Sequence, residues 1–391
     1  MKKKIGLFLA GAPQGGGKFQ YNATILEALA ALPKDRYDMV VGYWEDYWTA
    51  YLDRYDLSRF KVRPGFWSRA LFKVWRRSGL PIAWWRTLNP WFHPVSGQLL
   101  GQHCHLWIFP SEDSWAYQIR LPALAAIHDL MHRYERRFPE ASAHGEYERR
   151  EKDYINICRW AAGVLVDSEV GKKLLVESYG INPGSVHVLP YVAPKHIYDQ
   201  DHEGTSLSSY RLPEKFFFYP AQFWEHKNHQ SLMRAIALLQ DKHPDIQMVF
   251  TGSPKNAYES VRALVENLGL QDKVHFLGYV PDAVMAKIYR RARALVMPTF
   301  CGFTDIPPLE ASALGCPVGL SDIYGMREQM GDAALYFDPS SLPEIARVME
   351  MLWTDDALCR DLSRRGLIRA GQWTPAHFNE RLKSIVEKIL N

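Results

Sequence analysis

From residue 216 onwards the chain alternates between short apolar runs and longer stretches with helical spacing. The apolar runs are Phe216–Pro220, Ile246–Thr251, Val274–Leu277, Ala294–Met297, Pro317–Leu320 and Ala334–Phe337. Each is too short for a helix and shows no polar face, as strands do when helices cover both sides of a sheet. Helical periodicity fills several of the gaps, at Gln230–Gln240, Ala257–Leu268 and Asp282–Arg291. Parallel strands need a long crossover between them, and a helix supplies it. The pattern predicts an α/β fold with a doubly wound parallel sheet.

The first half repeats the pattern with wider spacing. Strands are expected at Ile5–Ala10, Tyr37–Gly42, Leu106–Phe109, Ala123–Ile127, Gly163–Val166 and Ser185–Leu189, with helices near Tyr21–Leu32, Glu146–Trp160 and Val170–Ser178. A chain of 391 residues exceeds what one core usually serves. Pro190, Pro194 and the polar run DQDHEGTSLSS mark the joint. Two domains follow, 1–195 and 196–372. The tail 373–391 holds a last helix, Pro375–Leu390, amphipathic through Phe378, Leu382, Ile385, Val386 and Ile389.

The 47 basic and 43 acidic residues are too evenly balanced for a dedicated nucleic-acid binder. Five scattered cysteines with no CxxC spacing indicate neither a disulfide framework nor a zinc site, which fits a reducing cytosol. No apolar run approaches the ~18–20 residues of a membrane span. The N-terminal MKKKIGLFLAGA has the lysines and apolar core of a signal peptide. It reads better as a first buried strand, because a glycine-rich turn and an amphipathic helix follow at once. Between Phe66 and Phe92, tryptophans (67, 75, 84, 85, 91) interleave with Arg69, Lys73, Arg76, Arg77 and Arg86. Either this segment lies against an anionic membrane surface or its tryptophans are core and its arginines solvated. Asp199-Gln200-Asp201 has an acid-x-acid spacing but falls in the polar linker, where a solvated loop is the expected reading.

Two stretches carry nucleotide chemistry. In Met297–Ser321 a strand leads through CGFTDIPP into a helix with Glu310 in its first turn. The backbone N–H groups of Gly302, Phe303, Thr304, Asp305 and Ile306 would suit a phosphate beside that helix end, and Glu310 would suit hydroxyls. In Ile5–Lys18 a strand runs into GAPQGGGK, whose Gly16 and Gly17 allow close ligand approach. It is neither a P-loop, since Ala12 stands six residues before Lys18 and Phe19 follows it, nor a dinucleotide fingerprint. His128 lies at the carboxyl end of a strand, where open α/β sheets bind ligands.

The ordered set AGAPQGGG, IHDLMHRYERRFPE, VDSEVGKKLL, YPAQFWEHKNHQSL, VHFLGYV, FTDIPPLEASALGCPV and SDIYGMRE resembles the GT-B fold glycosyltransferases of family GT4. The resemblance spans both halves. It implies two Rossmann-like domains facing across a cleft, an acceptor side in the first and a nucleotide-sugar side in the second, with the last helix returning to the first domain. It further implies a retaining, metal-independent hexosyl transfer. GDP-mannose is the preferred donor and a UDP-sugar the alternative, with a glycan or lipid-linked acceptor in bacterial-type polysaccharide synthesis. No cofactor or metal is expected. The setting implied is cytoplasmic, at the inner membrane face.

By position, the resemblance makes His128 a sugar-positioning group, Lys227 the cation for the β-phosphate and Glu310 the ribose anchor. Gln222 would donate a hydrogen bond to the diphosphate, and Tyr279 and Val280 would offer main-chain groups to the base. Two departures stand out. The family commonly has a glutamate eight residues before Glu310, where this chain has Gly302, and an arginine five before Lys227, where it has Gln222. The alternative reading is a catalytically degenerate protein that binds nucleotide-sugar or glycan without turnover.

Overall fold

The computed structural model describes residues 2–65, 67, 70–71, 74–75, 77, 80–198 and 206–391. Arg69, Lys73 and Arg76 of the Trp-Arg segment, and Asp199-Gln200-Asp201, lie outside these residues. The first sheet has seven parallel strands: β1 (Lys3–Leu9), β2 (Tyr37–Tyr43), β3 (Ser58–Lys61), β4 (Leu106–Phe109), β5 (Ala123–Ala126), β6 (Gly163–Val166) and β7 (Val186–Val188), in the order β3-β2-β1-β4-β5-β6-β7. Six more parallel strands form the second: β8 (Phe217–Pro220), β9 (Met248–Thr251), β10 (Val274–Phe276), β11 (Ala294–Met297), β12 (Val318–Ser321) and β13 (Leu335–Phe337), in the order β10-β9-β8-β11-β12-β13. In each sheet the strand order reverses beside the first strand of that sheet. That reversal opens a crevice at the carboxyl ends, where α/β sheets take ligands.

Both sheets are buried on two faces, so their central strands are apolar throughout, as in FFYP and ALVM. β3 escaped sequence reading because it is an edge strand with partly exposed, charged positions, SRFK, paired only to β2. The final helix, Pro375–Leu390, leaves the second sheet and buries Phe378, Leu382, Ile385 and Val386 in the core of the first, against the helix Gly17–Ala30.

The two halves are closed upon each other by specific contacts. Phe303, from the second half, is 2% exposed and packs within the apolar cluster of the first. Gly171 makes that approach possible: a Cβ there would stand 2.7 Å from the Phe303 ring. Asp167, just after β6, accepts from Thr304 N at 3.0 Å and Oγ1 at 2.5 Å. Glu328 accepts from the N–H groups of Glu169 and Val170 at the start of the helix Glu169–Tyr179. On the opposite side Glu140 binds His226 N at 2.9 Å and Asn256 Nδ2 at 2.8 Å.

Candidate active site

The loops leaving β1, β4, β5, β8 and β11 converge on a cavity of about 550 Å³ between the halves. A second cavity of about 130 Å³ adjoins it, with Gly16, Gly17, Gln222 and Ile306 lining both. Gly16 precedes the helix Gly17–Ala30 with φ of 65°, a conformation that side chains disfavour, and the loop thereby passes close to both cavities.

In the large cavity the second domain presents Lys227 and Asp305, with Nζ and Oδ1 3.3 Å apart. Asp305 Oδ2 is buried and has no hydrogen-bond partner among the described residues. Burial pushes the Asp305 carboxyl up from its ordinary value, and Lys227 only partly offsets it. The geometry also explains Gly302. Its φ is 123°, and a Cβ there would lie 2.8 Å from Asp305 Oδ2. The Asp305 carboxylate thus occupies the space that a side chain at position 302 would enter.

The first domain contributes a chain of ion pairs. Lys18 Nζ lies 2.6 Å from Glu112 Oε2, Arg150 pairs with Asp129, and Arg149 pairs with Glu146 and, at 3.1 Å, with Asp153. Burial opposes ionisation of Glu112, but Lys18 and its other neighbours hold the carboxyl far below the usual range. His128 is fixed at both ring nitrogens: Nδ1 is 2.7 Å from the Tyr191 hydroxyl and Nε2 is 3.0 Å from the Pro110 carbonyl. The carbonyl can only accept, so Nε2 carries the proton and Nδ1 accepts from Tyr191. Burial lowers the His128 pKa, which keeps the ring neutral. Asp129 does not orient that ring. It accepts from Met131 N at 2.8 Å and caps the turn that follows.

The small cavity is lined by Glu310, Tyr279, Val280 and Asp282, among others. Glu310 Oε2 accepts from the Tyr289 hydroxyl at 2.7 Å, and burial pushes the Glu310 pKa up to about 7. Gln222 Oε1 accepts from the Trp224 indole at 2.9 Å, which fixes which end of the amide is which.

A model of the family described as "Glycosyl transferases group 1" matches residues 208–368, which include Gln222, Lys227, Asp305 and Glu310. Residues 208–368 are thus similar to the group 1 glycosyltransferases, and the whole chain has the GT-B fold. The chain is 27% identical over 185 residues to the serotype-specific mannosyltransferase WbdA of Escherichia coli, an overlap of 46% of this chain and 22% of WbdA. The chain therefore spans about a fifth of that relative. Among solved structures, sucrose-phosphate synthase of Thermosynechococcus elongatus superposes with a TM-score of 0.76 at 16% identity, covering 99% of each chain. HepE of Anabaena, solved with UDP and glucose, gives 0.73 at 14% identity, over 99% of this chain and all of that one. These likenesses identify the two-domain GT-B fold.

Of the GT4 residues expected from sequence, His128, Gln222, Lys227, Thr304, Asp305, Ile306, Gly16 and Gly17 line the large cavity, and Tyr279, Val280 and Glu310 the small one. Phe303, expected to offer its backbone N–H, lines neither cavity, and its ring packs into the apolar core of the first domain. The N–H groups assigned to phosphate also have partners: Thr304 N donates to Asp167, and Asp305 N to Gln329 Oε1 at 3.3 Å. Sequence reading missed Glu112, Asp167, Arg150 and Tyr191. The strand-end rule that found His128 also points to Glu112 and Asp167, just beyond β4 and β6. Arg150 and Tyr191 carried no local signal.

Proposed function

We propose that the protein is a retaining hexosyltransferase that moves a sugar, with mannose the preferred candidate, from a nucleoside diphosphate to a glycan during polysaccharide synthesis. The observation that carries this reading is the alignment of Glu310, Lys227 and the Asp305 carboxylate along one interdomain cleft. Glu310 Oε1, opposite the oxygen held by Tyr289, would accept from the ribose hydroxyls. Lys227 would meet the β-phosphate, where negative charge grows as the glycosidic bond breaks. Gln222 would donate a neutral hydrogen bond in place of the family arginine.

In the reaction the bond from the anomeric carbon to the diphosphate oxygen breaks. The acceptor oxygen bonds to the same face of that carbon, and its proton passes to the departing phosphate. No protein nucleophile is needed. Neutral His128, locked by Tyr191 and Pro110, would shape the sugar subsite without supplying charge. On the acceptor wall Lys18, Arg149 and Arg150 are already paired with carboxylates, which suits an uncharged saccharide hydroxyl. Relatives support the sugar and the pathway: besides WbdA, an O-antigen chain mannosyltransferase B of Escherichia coli is 29% identical over 170 residues, 43% of this chain and 45% of that one.

Residues 66–92 would hold the enzyme near a membrane-bound acceptor. Trp67, Trp84 and Trp91 are exposed, whereas Trp85 is core and Arg86 is buried over the Trp160 ring. Trp84→Ala with Trp91→Ala should weaken sedimentation with anionic vesicles at low salt. Wild type that fails to sediment would remove the membrane from the reading.

The donor site is tested by calorimetry with GDP and UDP. Lys227→Ala and Glu310→Ala should each lower nucleotide affinity at least tenfold while retaining the native circular dichroism. Unchanged affinity in both would overturn the assignment, and tight nucleotide binding without transfer from any donor would favour a binding protein instead.

A further inference from the structure

The turn Glu225–Lys227 follows β8 and ends on the lysine that faces Asp305. Its own domain does not complete it. Of its three N–H groups, that of Glu225 donates to Asn256 Oδ1 at 3.2 Å and that of Lys227 to the Trp224 carbonyl at 3.1 Å, both within the second domain. The N–H of His226 has its acceptor across the cleft, at Glu140 Oε1, 2.9 Å away on the short helix Pro139–Ser142. The same oxygen lies 2.5 Å from His226 Nδ1, and Oε2 accepts from Asn256 Nδ2 at 2.8 Å. Burial opposes ionisation of Glu140, but the bonds from His226 and Asn256 hold its carboxyl down to about 2. A carboxylate can only accept, so Nδ1 carries the ring proton. Glu140 lines the large cavity together with His226 and Lys227.

We propose that Glu140 is a positioning residue for sugar transfer: reaching over from the first domain, it sets the turn that aims Lys227 at the β-phosphate. The inference rests on the donor-site reading above, which makes Lys227 the phosphate cation. One peptide link separates the N–H that Glu140 holds from the residue that carries the charge. Without Glu140 the turn keeps its carbonyl bonds, from the Tyr219 hydroxyl to Lys227 O at 3.0 Å and from Phe300 N to His226 O at 2.8 Å. It loses the anchor at its centre, and a lysine ammonium on a flexible four-carbon stem then samples more positions. The second domain by itself therefore offers the diphosphate an unaimed cation. Closure aims it, at the moment when the acceptor wall is also in place, which couples charge stabilisation to the exclusion of water.

The test is calorimetry on the full chain with GDP, UDP, GMP and UMP, in a cycle of Glu140→Ala and Lys227→Ala. Glu140→Ala should weaken GDP and UDP binding by about threefold to tenfold, within the range for residues that act as a unit. In the Lys227→Ala background the same substitution should change affinity by less than about twofold, because the group it aims is gone. GMP and UMP, which have no β-phosphate, should bind Glu140→Ala as they bind the wild type. Glu140→Gln keeps the accepting oxygen and should restore diphosphate binding to within about twofold of the wild type. If Glu140→Ala fails to fold, Asn256→Ala is read in the same cycle: it frees Oε2 from an exposed position, and its loss should likewise vanish in Lys227→Ala. Equal losses in both backgrounds, or a loss shared by the monophosphates, would overturn the proposal. If Lys227→Ala weakens the diphosphates and Glu140→Ala does not, the donor site stands and only the role of Glu140 falls. If Lys227→Ala binds them as the wild type does, both fall.

Discussion

Placing a glutamate at position 302, as the GT4 resemblance implies, should damage this protein. Gly302 sits at φ 123°, in the region that L side chains rarely adopt. Holding a non-glycine residue in such a conformation costs about 1–3 kcal/mol. A second cost is steric. The added Cβ would stand 2.8 Å from Asp305 Oδ2 and 3.3 Å from the Thr304 carbonyl oxygen. The carboxylate can rotate away, but only by leaving Lys227, and the backbone oxygen cannot rotate. Gly302→Ala isolates these two effects, and Gly302→Glu adds a second carboxylate beside Asp305 in a buried site. For a domain of this size ~1 kcal/mol shifts the midpoint by ~2–4 °C, so Gly302→Ala should melt a few degrees to roughly 12 °C lower. Gly302→Glu should melt lower still and lose nucleotide affinity. Differential scanning fluorimetry and calorimetry read the two effects. A Gly302→Glu protein that melts with the wild type and binds donor more tightly would refute the reasoning.

Glu310 should make donor binding depend on pH. Its pKa is raised from 4.5 to about 7, so hydroxyl-accepting carboxylate is gained as pH rises through 7. Affinity should rise about tenfold between roughly pH 6 and 8 beyond the change seen in Glu310→Gln, which carries the phosphate titration alone. The folded state binds this proton more tightly than the unfolded one, so the contribution of Glu310 to stability falls as pH rises from 4.5 to about 7. Isothermal titration and chemical denaturation should therefore move in opposite directions, and parallel changes would refute the assignment. Phe303→Ala should cost about 3–5 kcal/mol of packing, the range for buried aromatics. Because that ring joins the two halves, the loss should appear in small-angle scattering as a larger radius of gyration, with the second-domain core intact. A radius equal to that of the wild type would show that Phe303 does not hold the closure.

Much of the architecture was legible because it rests on local rules. Buried parallel strands such as FFYP and ALVM are short and apolar, amphipathic helices repeat at their own period, and punctuation by Gly and Pro separates them. Edge strand β3 was not, because a strand half in water loses that signature. The same contrast holds for the site. Strand-end position and motif spacing pointed to His128, Lys227, Gln222, Asp305 and Glu310, each of which lines the cleft. They could not say what those side chains touch, because the partners stand far away along the chain.

The sequence by itself determined the two doubly wound sheets and the loops that carry polar groups to the strand ends, since these follow from periodicity over ten or twenty residues. Tertiary structure decided the rest. It seated the Phe303 ring in the core of the opposite domain, and it committed the Thr304 N–H to Asp167, 137 residues away. It explained the absent glutamate through the Asp305 carboxylate, which fills the space above Gly302. Burial, charge compensation and steric exclusion are properties of neighbours in space, and no spacing along the chain encodes them.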